Sequence, residues 1–396
     1  MQGYLRKSGP RRHWRVLAVV AAFALVLAAC GGDDDGGGGG GSATTVKLGF
    51  FGALTGDIGP QLGINIRNGA QLAIDEFNAK GGDTKVELVQ YDSQGDPAQA
   101  PQLAQRAVTD KVVGIVGPAF SGESKVANPI FEEAKIPNVS ASATAVTLAA
   151  NGWKYWHRVV ANDDAQAPAD ATYMTKKAAA KKTAVIDDNS EYGKGLADGV
   201  RKALESQGAK ASVNESIDTK ATDYSSVVNA VKSAAPEAIF YGGYYQDAAK
   251  LVKQLRDGGV TSTFVSGDGS LDQQLITLGG AAAEGAVVTC PCVLATASDT
   301  EAAKKFTTDY KAKFNADPGT YSTEGYDAAS VFLKAIEAGK TTAEDINAWI
   351  ATASFDGVSK AIKFQASGEI ESSDIFAYEM KGGKVTLLGP VSEVAK

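Results

Sequence analysis

Val112-Val113-Gly114-Ile115-Val116-Gly117-Pro118-Ala119-Phe120-Ser121-Gly122 decides the fold. Five mostly apolar residues read as a buried strand, Gly117-Pro118 as a turn, and Ser121 to Ala134 as a helix. The same punctuation recurs on both sides. Val46–Phe51 is a strand, Leu62–Lys80 a helix with Ile66, Ala70, Ile74 and Phe77 on one stripe, and Gly81-Gly82 its stop. Val86–Tyr91 (strand), Pro97–Asp110 (helix) and Ile136–Ser140 (strand) complete a βαβαβαβ series, which calls for a doubly wound parallel sheet. The alternation pauses near Asn162 and restarts: helix Ala167–Lys181, strand Thr183–Asp187, helix Tyr192–Gln207 and strand Ala211–Ile217. Helix Tyr224–Ala235, strand Ala238–Tyr241, helix Tyr245–Asp257 and strands Phe264–Ser266 and Ala286–Thr289 follow. Helices Glu301–Phe314, Thr323–Ala338 and Ala343–Ala351 come next, then short strands near Lys360–Phe364, Ile375–Glu379 and Lys384–Leu387. The expected class is α/β, with two doubly wound parallel-sheet lobes. Their strands should end on a shared cleft, where ligands settle.

The first 45 residues read differently. Arg6, Lys7, Arg11, Arg12 and Arg15 precede the 14 apolar residues Val16–Ala29, a stretch short for a membrane span and suited to a signal peptide over residues 1–29. Leu27-Ala28-Ala29-Cys30 resembles a bacterial lipobox, so Cys30 is the expected lipidation site and first mature residue. Residues 30–45, with the run Gly-Gly-Asp-Asp-Asp-Gly, form a solvated tether. Cleavage removes five of the 39 basic residues and none of the 46 acidic ones, which takes the net charge from −7 to −12. Such a body is a poor nucleic-acid binder. It is expected outside the cytoplasm, lipid-anchored at the outer face of the cell membrane.

Two histidines and three cysteines leave little material for a metal site, and none is expected. Cys290 and Cys292 flank Pro291, and an oxidising compartment favours a local disulfide between them over two free thiols. His157 lacks a nucleophile partner and reads as packing. Neither a dinucleotide fingerprint nor a phosphate loop is present. No cofactor and no enzyme activity are expected.

The residues just after strands are the candidate site. Ser121 sits at a helix start, a natural anion site or a plain cap. Ser142 and Thr144 lie in the small-residue loop Ser140–Thr144. Asp268, between Gly267 and Gly269, suits a cation or a turn. Tyr192 and Tyr244 follow strands of the second lobe as walls or core edges.

These residues sit among short motifs whose order is distinctive. They are Gly52-Ala53-Leu54-Thr55-Gly56, Asn78-Ala79-Lys80-Gly81-Gly82, Tyr91-Asp92 with Asp96-Pro97, and Ser142-Ala143-Thr144. Glu191-Tyr192-Gly193-Lys194-Gly195-Leu196, Tyr241-Gly242-Gly243-Tyr244 and Gly267-Asp268-Gly269 continue the series. On these grounds the chain over residues 46–396 resembles the leucine/isoleucine/valine-binding protein family, type I periplasmic binding proteins that feed ABC importers. The resemblance implies a hinge of three strands, crossing near Ala161–Asp164, Cys290–Leu294 and Glu371–Asp374. Lobe one is then 46–162 plus 292–372, and lobe two 163–291 plus 373–396. It further implies that Ser121 and Thr144 bind an α-carboxylate, and that the Ser142 carbonyl and Asp268 meet the α-ammonium. Tyr192, Tyr244 and Tyr326 would surround the ligand. The implied partners are an amino acid and the permease subunits, and the implied state is a monomer whose lobes close over the ligand.

The sequence departs from the pattern in places. Leu62 replaces an aromatic residue, Asp268 replaces a glutamate, Ser142 and Phe120 alter the lining, and the family's lobe-one cysteine pair is absent. A ligand that is an amide, urea or aromatic acid is therefore the alternative within the fold. A ligand sensor is the alternative in role, and an exported hydrolase a remote third.

Overall fold

The computed structural model describes residues 44–396. The leader, Cys30 and all but the end of the tether lie outside the described residues. β1 (Thr44–Gly52), β2 (Thr84–Asp92), β3 (Gly114–Val116), β4 (Asn138–Ser140) and β5 (Trp156–Arg158) form one sheet in the order β2-β1-β3-β4-β5, every pair parallel. α1 (Pro60–Ala79), α2 (Ala100–Thr109) and α3 (Ser121–Glu133) are the crossovers. β3 and β4 are buried along their whole length, as strands covered on both faces must be.

After α4 (Asp163–Thr172) the chain builds a second sheet from β6 (Lys182–Asp187), β7 (Lys210–Ser216), β8 (Ala238–Gly242), β9 (Thr263–Ser266) and β10 (Val287–Cys290). α5 (Glu191–Ser206), α6 (Ser225–Ala234), α7 (Tyr245–Asp257) and α8 (Gln273–Gly279) connect them. α9 (Glu301–Phe314), α10 (Ser322–Glu337) and α11 (Ala343–Ile350) then return to the first sheet, α10 packing along α1 and onto β3 and β4. A small antiparallel ribbon, β11 (Ser354–Asp356) with β12 (Ala361–Lys363), precedes β13 (Phe376–Lys381), β14 (Lys384–Pro390) and α12 (Val391–Val394). β13 and β14 join the second sheet antiparallel, giving the order β14-β13-β10-β9-β8-β6-β7. The two expected parallel-sheet lobes are present, and the second is mixed at one edge.

α1 and α10 meet backbone to backbone. A Cβ on Gly69 would collide with the Ser322 carbonyl, and one on Gly325 with that of Ile66. This contact fixes the start of α10, and so the residue just before it, Tyr321. Deep burial of Phe50, Phe240, Phe264 and Phe332 supplies the usual driving force, about 1.5–3 kcal/mol for each such side chain.

Differences from the sequence reading have local causes. α4 begins at Asp163 and not at Ala167, because the Asn162 side chain accepts from Asp164 N at 3.0 Å and starts the helix before Pro168. α8 was not foreseen; the Asp272 side chain, accepting from Gln274 N at 2.8 Å, begins it. β5 was too short and polar to read as a strand. Cys290 and Cys292 are joined by a disulfide.

Candidate ligand-binding cleft

In each sheet the strand order reverses once, between β1 and β3 and between β6 and β8. At such switch points the two following loops diverge and leave a crevice at the carboxyl ends of the strands. The first crevice is bordered by residues after β3, the second by those after β6 and β8. Phe120 and Ser121 occupy one; Tyr192 and Tyr244 occupy the other. They face each other, with Phe120 edge-on to Tyr244 at 5.2 Å between ring centroids and Tyr192 tilted on Tyr244 at 5.4 Å.

The turn into α3 depends on Gly117, whose φ of 125° excludes a side chain comfortably. Phe120 is the residue before the helix and Ser121 the first residue within it, one place later than the capping role expected. Its hydroxyl instead accepts from Ala145 N at 3.2 Å, tying the β3 loop to the β4 loop. Ser142 Oγ donates to Ala119 O at 2.5 Å, a second tie between the same loops. Arg158 locks the β4 loop from below: its Nη1 donates to the carbonyls of Ala143 and Ala145 at 2.8 and 3.0 Å. The same guanidinium holds Glu369 through Nε at 2.7 Å and Nη2 at 2.5 Å.

Asp268 faces this loop pair from the end of β9. The Tyr192 hydroxyl donates to its Oδ1 at 2.9 Å and accepts from Gly269 N at 2.9 Å. The Tyr321 hydroxyl donates to Oδ2 at 2.6 Å. Asp268 is buried, and this desolvation raises its pKa against the lowering pull of both phenols. Asp163, at the start of α4, is pushed up to about 7, by burial first and then by the nearby Asp268. Its two oxygens and the Thr144 hydroxyl make no hydrogen bond of standard geometry, although Thr144 lies close enough to lower the Asp163 pKa.

Ser121, Ser142, Tyr192, Tyr244 and Asp268 therefore converge on one cavity of about 10 Å³, which Leu62, Phe120 and Tyr321 also line. Thr144 is wholly buried behind it. Tyr326 is not there. It is half-buried on the far side of α10, donating to Glu76 Oε2 at 2.6 Å with its ring edge-on to Phe306. Tyr321, in the left-handed conformation (φ 66°) just before α10, takes the place expected of Tyr326. That residue escaped the sequence reading because its direction is set by the α1–α10 contact, which no short motif encodes.

Phe120, Tyr192 and Tyr244 also form one side of a larger chamber of about 790 Å³ at the cleft mouth. Asp57, Glu123, Asp188, Glu191, Asp218 and Asp247 line it, with Lys125 as its one basic residue. Lys125 reaches Glu191 at 2.8 Å, bridging α3 and α5. Burial raises Glu123 to about 7 and Asp188 to about 6.

His157 is buried on β5, edge-on to Phe364, and desolvation lowers it to about 4; it packs and has no reacting partner. Among the described residues no cluster of His, Cys, Asp and Glu could hold a metal ion, and no helix is long and apolar enough to cross a membrane.

Comparison with known proteins agrees with this architecture. The periplasmic binding protein family matches residues 45–384. A Leu/Ile/Val-binding protein of Rhizobium johnstonii is 31% identical over 347 residues, spanning 86% of this chain and 93% of that protein. A leucine-binding protein of Thermotoga maritima superposes with a TM-score of 0.80 at 30% identity, covering 87% of this chain and 98% of that one. The branched-chain amino acid substrate-binding protein of Streptococcus pneumoniae, solved with isoleucine, gives 0.81 at 29% identity, with 88% and 100% covered. With its two-sheet cleft and a match along most of its length, this chain belongs to the periplasmic binding protein family, whose members named here bind solutes and are not enzymes.

Proposed function

We propose that the chain is the extracytoplasmic receptor of an ABC importer, taking a branched-chain or other apolar α-amino acid into the cleft and passing it to the permease. The observation that carries this reading is the convergence of two unlike sets of polar groups. Ser121 and Ser142, from the β3 and β4 loops, line the small cavity with Thr144 buried behind them, and a buried acid, Asp268, faces them from the second sheet. A zwitterion has one end for each. Hydrogen bonds to charged groups, at about 1.5–3 kcal/mol apiece, offset the cost of burying them. The apolar side chain would lie against Leu62, Phe120 and Tyr244. The relatives named for leucine, isoleucine and valine support the same choice.

In this reading lobe one (46–162 plus 292–372) receives the ligand and lobe two (163–291 plus 373–396) closes on it, with the lipid on Cys30 as anchor. Ligand that binds only the folded protein stabilises it by about 2.7 kcal/mol at a hundred times Kd. A thermal-shift screen of the mature protein against amino acids, amides, urea and aromatic acids should therefore raise Tm with apolar α-amino acids. A response only to a carboxylate-free or aromatic ligand would replace this reading. The anchor has its own test: Cys30→Ala should move the protein from the membrane to the soluble fraction, and unchanged membrane retention would remove the lipid from the account.

A further inference from the structure

The chain passes between the two sheets three times: after β5, after β10, and between β12 and β13. At the second passage Cys290 is the last residue of β10, paired with Phe376 of β13. The disulfide ties Cys292 back to it, so Pro291 sits in a small closed ring. The Tyr378 hydroxyl, from β13, donates to the Cys292 carbonyl at 3.0 Å and accepts from Leu294 N at 3.0 Å. These bonds make the segment as far as Leu294 part of the second sheet's rigid body.

The Pro291 carbonyl at its edge meets a lysine from the other lobe. Lys360 lies in the turn between β11 and β12, and that turn is fixed to α10 because Asp327 accepts from Val358 N and Ser359 N at 2.7 and 2.8 Å. Lys360 Nζ donates to Pro291 O at 3.1 Å, to Val159 O at 3.2 Å and to Glu324 Oε1 at 3.3 Å. Val159 directly follows β5 and is bonded to β4 through Ser140 O; Glu324 is in α10, which packs on β3 and β4. An ammonium carries three N–H donors, and all three are used here. Two acceptors belong to the first sheet and its helix, the third to the second sheet. Lys360 is largely buried and Glu324 wholly so. A buried ion pair adds little to stability over an apolar pair of the same size, so its placement between two moving bodies points to another role.

We propose that Lys360 and the Cys290–Cys292 ring form a catch on the hinge side that favours closed lobes and so sets ligand affinity. The inference rests on the receptor reading, in which the lobes open and close. In this structure they are apposed, with Phe120 against Tyr244, Lys125 on Glu191 and Tyr321 on Asp268. Swinging the second sheet away carries Pro291 with it, while Val159 and Glu324 stay. A hydrogen bond is lost beyond about 3.5 Å, so opening leaves the ammonium one acceptor short. The disulfide matters through its position: without it, Pro291 can trail behind the parting lobe and keep its bond, and the catch loses its grip. Apparent affinity scales with the population of the binding-competent form, here the closed one.

The test is calorimetric titration of the mature protein with leucine, together with its dissociation rate by stopped flow. Lys360→Met should weaken binding about 10-fold, the size of one hydrogen bond to a charged group, with the loss in the dissociation rate because release waits for opening. It also leaves Glu324 buried without a cation, so the single variant melts lower. Lys360→Met with Glu324→Gln removes both charges and should recover most of the Tm while binding stays weak. Cys290→Ser with Cys292→Ser should weaken leucine binding in the same direction, and Lys360→Met added to it should change little more, since both act on one bond. Affinity of Lys360→Met within threefold of wild type, affinity that recovers together with Tm, or additive lysine and cysteine effects would overturn the catch. A wild type that ignores leucine and every other α-amino acid overturns the amino-acid reading instead, and the same variants are then titrated with the amide or aromatic acid that raised the wild-type Tm.

Discussion

Asp268→Asn raises the Kd for an α-amino acid about 100-fold, while the ligand-free protein stays within about 1 kcal/mol of the wild type. Asn keeps the size of the side chain and one acceptor for the phenols of Tyr192 and Tyr321, which hold this position from both sides. What it removes is the charge. An ammonium left buried beside an amide loses an ionic hydrogen bond, and truncating one partner of such a pair typically costs about 2–5 kcal/mol of binding. The fold changes little because neutralising a buried acid with a raised pKa removes a cost above the ordinary carboxylate range, which offsets the one phenol that loses its acceptor. Calorimetry and thermal melting of the same preparation decide it. An affinity within threefold of wild type would detach the ammonium from this residue.

Arg158→Met acts on the scaffold. The guanidinium is fully buried, pairs with Glu369 through two nitrogens and satisfies the carbonyls of Ala143 and Ala145, with its plane over the Trp156 ring. Removing it strands a largely buried carboxylate and two carbonyls. Breaking a buried pair in this way costs about 3–5 kcal/mol. Urea unfolding should show that loss in the variant, and Arg158→Met with Glu369→Leu should recover part of it, the two effects being coupled. The β4 loop carries Ser142 and Thr144, so ligand affinity should fall with stability in the single variant. A single variant within 1 kcal/mol of wild type would mean that the loop holds itself.

Much of this was legible in the residues. Strands buried on both faces leave continuous apolar runs such as Ala238–Tyr241, and amphipathic helices leave a stripe; both survive translation into sequence. The strand-end positions of Ser121, Ser142, Tyr192, Tyr244 and Asp268 followed from the same alternation, because in this class loops after strands face the crevice. Their ligand roles stand as a proposal. What stayed hidden depends on contacts distant in sequence. Tyr321 and Tyr326 are five residues apart, and only the packing of Gly69 against Ser322 and Gly325 against Ile66 decides which ring turns inward. Asp163 looked like part of a polar break before a helix, since nothing local says that its carboxylate is buried. The α4 start was misplaced for a different, local reason, its cap being a single asparagine two residues from the amide it accepts from.

The chamber of about 790 Å³ beyond Phe120, Tyr192 and Tyr244 has a consequence for selectivity. On the reading above, the demanding end of the molecule is the one that meets fixed dipoles and charge, while the opposite end abuts the rings of Phe120 and Tyr244 and then the wider chamber. Such a receptor would be exacting about the head of its cargo and forgiving about its tail, so that one gene product could scavenge a whole range of nutrients.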